Sequence, residues 1–218
     1  MRVLHRGRDV LVALLVTLLM AAVPFAPGWS AAVAATPPAL PGVPATVTVE
    51  AWLTFDLEGD YQWQSTKLQA GSEPAGVVQV HRGFLIATDT AVEVSDPAFG
   101  IHEVPAGGAL AMGEGQQLEI TAPSGNARLM FVELVARDGA FASEQPDSTE
   151  AFSVPKGRYT LAVLALPAGA NAPAPAAVVA QAAAPAIAVY PEGAGAATPG
   201  AGIGDNGPTW LVALFPAS

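Results

Sequence analysis

The side chains with a capacity for chemistry are few and scattered. Of three histidines, His5 lies in the N-terminal segment, leaving His81 and His102. Two imidazoles with a carboxylate such as Glu103, Glu119 or Glu133 are the residue types that hold a transition metal, but their spacing follows no ligand pattern. Either imidazole also reads as a partly exposed strand residue. Asp56, Glu58 and Asp60 crowd one short stretch, where carboxylates suit calcium or the acid and base of a glycosidase. A solvated acidic turn accounts for the same residues with no ligand. Trp52, Tyr61 and Trp63 offer faces on which a sugar can stack, or a set of cross-strand aromatic pairs. Ser124 and Ser143 have no nearby histidine and no nucleophile elbow. The glycine-rich run from Gly193 to Gly207 lacks the strand-to-helix context of a phosphate loop.

The N-terminus reads as a secretory signal. Arg2, Arg6 and Arg8 precede an apolar run from Val10 to Val23, which Pro24, Pro27 and Gly28 break. Small residues at Ala32, Val33, Ala34 and Ala35 then place cleavage near Ala34 or Ala35. An uncleaved anchor is the rival reading, but a spanning helix needs about 20 apolar residues and this run stops short. Removing residues 1–35 leaves six basic against eighteen acidic residues, a net charge of −12. Such a balance disfavours binding to nucleic acid or anionic membranes, where affinity is carried by clustered Lys and Arg. There is no cysteine, so no disulfide and no lipidated N-terminus is available, and an exported domain must be held by its core.

The elements that would position any site are short strands. Residues 36–45 form a Pro/Ala-rich extended leader. From Val47 to Phe55 apolar and polar residues alternate, with Trp52 on the polar parity. Leu57-Glu58-Gly59-Asp60 predicts a turn, and Tyr61 to Leu68 the returning arm of a hairpin. Further strands are expected at Val77–Val80, Phe84–Thr88, Ala91–Val94, Ile101–Val104, Ala109–Met112, Gln117–Thr121 and Arg128–Val135, with a tight turn at Pro123–Asn126. Many short strands at this spacing indicate a sandwich or small barrel. Residues 46–138 form this β domain, and residues 139–218 are a C-terminal extension rich in alanine, proline and glycine. Within it Ser143–Glu150 reads as an acidic loop and Gly193–Pro208 as a glycine-rich one. Strands are expected near 158–166, 186–190 and 210–215. Pro173 and Pro175 exclude a helix from the start of the alanine-rich stretch, leaving Ala176–Ala184 for a short one.

The stretch from Gly71 to Glu133 resembles a cupin repeat. The first cupin motif runs Gly, five residues, His, one, His, three or four, Glu, six, Gly. Laid on Gly71, its functional positions fall on Val77, Gln79, Gly83 and Thr90. The second runs Gly, five, Pro, one, Gly, two, His, three, Asn. Laid on Gly107, it falls on Gly113, Gly115, Leu118 and Ala122. About 16 residues separate the motifs, a common spacing in that family. The resemblance implies an all-β, cupin-like jelly-roll sandwich or barrel with additional C-terminal strands. It covers roughly sixty residues and rests on glycines and rhythm, since every metal-ligand position is replaced.

Metal-dependent cupin chemistry is therefore not expected, and no metal, cofactor or catalytic residue is assigned. If Val77 and Gln79 take the family's inward positions, strand parity turns Gln79 and His81 into the barrel beside Leu118 and Ile120. That interior is either a ligand cavity with two polar groups or a filled core. The expected role is that of a secreted, non-catalytic protein that binds a small molecule or sugar, or of a structural module. Two alternatives remain. One is a metal-independent enzyme using His81 with an acidic partner, as sugar epimerases of related fold do. The other is a cell-surface interaction protein presenting Trp52 and Trp63. A homodimer is common among cupins; no nucleic-acid partner is expected, nor a membrane one after signal cleavage. Mass spectrometry of the exported protein should find a chain beginning at Ala35 or Thr36. A membrane-bound product retaining residues 1–34 would show an anchor instead.

Overall fold

The alternation that begins near Val47 runs on for longer than a hairpin arm allows. In the computed structural model, which describes residues 36–74, 76–137, 148–166, 173–197 and 209–217, strand β1 runs unbroken over Thr48–Ala70, 23 residues. The turn expected at Leu57–Asp60 does not form. Gly59 does take a positive φ of 107°, but at a bulge rather than a reversal. The remaining elements are β2 (Val77–Gln79), β3 (Arg82–Ala87), β4 (Val92–Asp96), β5 (Gly100–Val104), β6 (Ala109–Met112), β7 (Gln117–Thr121), β8 (Ala127–Ala136), β9 (Ser148–Leu166), helix α1 (Pro173–Gln181), β10 (Ala186–Tyr190), β11 (Gly193–Ala197) and β12 (Thr209–Pro216).

A straight strand as long as β1 would span about 75 Å, so it bends where its register with β9 slips. Between Val49 and Ala51, Glu50 is the extra residue on β1. Between Leu57 and Gly59 the extra residue is on β9, where Pro155 and Lys156 oppose Glu58 alone. Proline cannot donate to a ladder, and a bulge is where a strand accommodates it.

The strands form two antiparallel sheets, one in the order β11-β10-β12-β9-β1-β8-β3-β6 and one in the order β2-β7-β4-β5. From β1 to β8 the chain passes back and forth between them, and the blocks β1-β8-β3-β6 and β2-β7-β4-β5 are the two faces of a jelly roll. Strands β9, β12, β10 and β11 continue the larger sheet beyond β1. The fold is all-β, a jelly-roll sandwich enlarged by C-terminal strands, with α1 its one α-helix among the described residues.

Three apolar cores follow from side-chain alternation. Leu85, Ala87, Leu129 and Phe131 meet Val92, Val94, Leu118 and Ile120 of the small sheet, with Val80 just past β2. The alternate residues Phe84, Ile86, Met130 and Val132 lie on the opposite face with Trp63, Trp210, Val212 and Leu214. That face folds over itself, and two indoles fasten it: Trp63 Nε1–H donates to the Pro185 carbonyl and Trp210 Nε1–H to that of Gly107. The third core sets Leu164, Leu211 and Phe215 against Val178 and Val179 of α1.

Other expectations are corrected here. The leader is not merely extended: Leu40 and Val43 pack on the third core. Helix α1 begins at Pro173 rather than Ala176, because a first-turn residue needs no N–H and proline's φ already suits the helix. The acidic loop ends earlier than expected, since β9 starts at Ser148. Gly193–Ala197, read as loop, is the edge strand β11. Residues 36–218 form one compact unit, so the C-terminal strands share a body with the jelly roll. Residues 1–35, expected to be a secretory signal cleaved near Ala34 or Ala35, together with Ser143 and residues 198–208, lie outside the described residues. Among those described, no helix is long and apolar enough to cross a membrane.

Gly83 is enclosed most tightly. A Cβ built there would overlap the Val132 carbonyl oxygen and crowd Glu133 Cα, both backbone atoms of the paired strand β8. Gly83→Ala is expected to destabilise the fold by about 3 kcal/mol through overpacking. Urea unfolding followed by tryptophan fluorescence checks this.

Candidate functional site

The strand parity expected for the barrel interior is displaced by one residue. On β2, Val78 pairs with Leu118 and Gln79 with Gln117. Leu118 and Ile120 are buried as expected, but the residues sharing their interior are Val78 and Val80. Gln79 is exposed and Val77 is 58% exposed. A one-residue slip exchanges the two faces of a strand, so Gln79 is not brought together with Leu118 and Ile120. His81 follows β2 at the margin of the sandwich. Its Nδ1 lies 2.6 Å from Glu114 Oε1.

The other sequence candidates disperse. His102 is on β5 and β2 is at the other edge of the same sheet, so the imidazoles do not converge. Among the described residues no three His, Cys, Asp or Glu side chains are grouped to hold a metal. Glu58 meets exposed Lys156 at 3.4 Å, and Asp60 accepts a hydrogen bond from the Ser153 hydroxyl. These are strand residues rather than an acidic turn. The aromatic patch is overturned as well. Trp63 is fully buried and packs on Phe152 at 5.4 Å between ring centroids, whereas Trp52 is half-buried against the third core.

What the fold does assemble is a polar row inside the jelly roll. On β1 the residues Gln62, Gln64 and Thr66 share the face of Leu68 and Ala70, the face turned to the small sheet. On β8 they stand opposite Val135, Glu133 and Phe131, and Glu133 in turn stands opposite Gly83 of β3. Gln64 is 0% exposed and Glu133 4%. Neither Oε1 nor Nε2 of Gln64 has a hydrogen-bond partner, nor do the buried Gln62 Nε2 and Thr66 Oγ1. Each such atom costs about 1–3 kcal/mol when left unpaired, and the large majority of buried side-chain polar atoms are paired. A run of them on adjoining positions of one strand face is a demand for hydrogen bonds that the chain itself does not meet.

Glu133 closes this row. Its Oε1 accepts the His81 backbone N–H at 2.7 Å. Burial raises its carboxyl above the ordinary 4.5, outweighing the lowering by that hydrogen bond and by the His81 charge; the nearby Glu114 adds to the rise. Among the described residues no basic side chain shares the row. Arg82, next in sequence to Gly83, turns its guanidinium over the Phe55 ring at 4.3 Å.

A second polar feature lies five residues along the same strand pair, a cleft of about 240 Å³ lined by Gln69, Asp89, Asn126, Ala127 and Arg128. Here the ionic groups satisfy one another. Arg128 Nε meets Asp89 Oδ2 at 2.6 Å and its N–H donates to Oδ1. Burial pushes the Asp89 carboxyl up, but these bonds and the guanidinium charge more than offset it, leaving it lowered. The cleft has no unmet polar demand comparable to that of Gln64.

Sequence reasoning missed Gln62, Gln64 and Thr66. Polar residues at every second position of a strand are the signature of a solvated face, and only the covering sheet distinguishes the two.

No family model and no curated protein matches this chain. Among solved structures, the crystal structure of protein NMB1881 from Neisseria meningitidis is similar to it at 16% identity and a TM-score of 0.29, over 40% of this chain and 85% of that one. By its own sheet topology the chain is a β-sandwich protein of jelly-roll type.

The Glu133 shift has a pH signature. Its carboxyl binds a proton more tightly in the folded chain than in the unfolded one, so its penalty is absent below about pH 4.5 and complete once pH exceeds the raised folded value. Glu133→Gln, whose amide oxygen still accepts from His81, is expected to raise the melting temperature at pH 8 and leave it unchanged at pH 4. Calorimetric melts at both values check this.

Proposed function

We propose that this chain is a secreted, cupin-like protein without the metal chemistry of that family, and that it binds a small polar molecule at the Gln64–Glu133 row. Jelly-roll topology supports the cupin-like part. So do the surviving motif glycines Gly107 and Gly115, which take positive φ values of 80° and 75°. The ligand positions support the absence of a metal. Val77 and Gln79 face solvent and Leu118 is core, while Gly83 has no space for any side chain.

The observation that carries the binding role is Gln64, fully buried with both amide atoms unpaired. Such a group carries a stability cost in the folded chain, and a polar ligand that paired with it would offset that cost. A second reading has one observation in its favour. Glu114 holds the His81 imidazole by Nδ1, while only the His81 backbone N–H donates to Glu133; the Glu114–His81 pair is the part able to serve acid–base chemistry without a metal. Turnover of a bound compound, followed by NMR, distinguishes that enzyme from a binding protein.

Gln64→Met removes the unpaired amide at nearly constant volume. It is expected to stabilise the protein by about 1–2 kcal/mol in urea unfolding. It is also expected to abolish the thermal shift that the wild type shows with its ligand in a panel of sugars, polyols, sugar acids and amines. A Gln64→Met protein that is less stable, with no panel compound shifting the wild type, overturns the proposal.

A further inference from the structure

We infer that the outer face and open edge of the small sheet dock an extended, basic segment of another protein, which adds beside β5 as a fifth strand. This face is turned away from the Gln64–Glu133 row, so its use does not depend on that row binding anything.

Strand β5 is bonded to β4 alone, and no other strand lies along its outer edge among the described residues. Such an edge carries a row of backbone N–H and C=O groups with no partner strand, and proteins often guard it with lysine or proline. β5 contains neither. It presents Ile101, 71% exposed, and the turn before it presents Phe99, 45% exposed. With Val77 of β2 these are the exposed large apolar side chains among the described residues. Pairing carries them across the outer face: Val77 stands opposite Glu119, Glu119 opposite Ser95 and Ser95 opposite Ile101.

Charge selects the partner. Between Arg82 and Arg128 the sequence contains no lysine or arginine, and β4, β5 and β7 all fall within that interval. Glu93 of β4 stands directly opposite Glu103 of β5, and like charges so placed cost stability. Both are exposed, as is Glu119, and none of the three takes part in an ion pair among the described residues. On a strand added beside β5, the residues opposite Ile101 and Glu103 lie two apart on one face. An apolar side chain at the first and a Lys or Arg at the second meet both, while main-chain bonds along the edge supply affinity. A second copy of this chain would bring the same carboxylates to the contact and no cation from its small sheet. Nucleic acid and anionic phospholipid would be repelled.

The test is a fluorescence-anisotropy titration of the purified chain with labelled synthetic peptides. One repeats Thr-Lys-Thr-Val, one has Glu in place of every Lys, and one is the basic peptide with its backbone N-methylated. The basic peptide is expected to bind saturably, the acidic one not at all, and N-methylation to abolish binding. Raising the salt from about 0.05 M to about 0.5 M is expected to weaken it. Glu93→Gln with Glu103→Gln, and separately Ile101→Thr, are each expected to weaken it about fivefold. The double variant loses a repulsive pair, so its melting temperature should not fall and a loss of binding is not a loss of fold. Glu58→Gln, an exposed carboxylate of the large sheet, is expected to leave affinity unchanged. No binding by the basic peptide, equal binding of the acidic one, or an equal loss in Glu58→Gln overturns the inference. Undiminished binding after N-methylation overturns strand addition. A dimer in sedimentation that Ile101→Thr dissolves would make a second copy of the chain the occupant, and overturns the basic partner.

Discussion

Strand β1 is hydrogen-bonded along both edges, to β8 over Tyr61–Ala70 and to β9 over Thr48–Ser65, and the rest of the structure depends on that double pairing. Had the chain reversed at Gly59, the jelly roll and the C-terminal strands would each have had a free edge and an uncovered apolar face. Continuity makes them one sheet. Its length then obliges it to bend, and the bulges at Glu50 and at Pro155–Lys156 are where the register absorbs the bend.

Burial on both faces follows. Strands β3, β8 and β12 read as nearly unbroken apolar runs because alternate residues enter different cores, as Trp210, Val212 and Leu214 do on one side and Leu211, Ala213 and Phe215 on the other. In such surroundings a polar side chain is costly unless paired. Asp89 and Arg128 meet that requirement by pairing with each other at the surface. Gln64 does not meet it, although it is among the most deeply buried residues, and Glu133 meets it only in part. The contrast between a self-satisfied cleft and an unsatisfied interior row, on the same two strands, is why the second is read as the site.

Much of the fold was legible from pattern. The strands at Ala109–Met112, Gln117–Thr121 and Ala186–Tyr190 have the expected bounds, because short β-branched or apolar runs between turn residues allow little else. The errors have specific causes. Glycine after an acidic residue signals a turn, yet the same positive φ serves a bulge, and only the partner strand β9 chooses between them. Pro173 and Pro175 were read as helix breakers because proline is damaging inside a helix and harmless in its first turn. Gln79 was placed inward by a motif alignment one residue out of step with the register of β2 on β7. Gln62, Gln64 and Thr66 gave no signal, because polar residues at alternate positions read the same whether a strand face is solvated or buried.

By itself the sequence determined local matters: where most of the short strands of the jelly roll lie, that no disulfide holds the chain, and that its net charge is strongly acidic. These follow from side-chain shape and charge acting over a few residues. Tertiary structure alone decided that β1 does not turn, that His81, just past β2, is kept apart from His102 on the opposite edge strand β5, and that a glutamine on an ordinary-looking polar parity is sealed inside. Each of those depends on which strand lies alongside which. Pairing partners are chosen by the burial of whole faces across the chain, a quantity that no short window of residues contains.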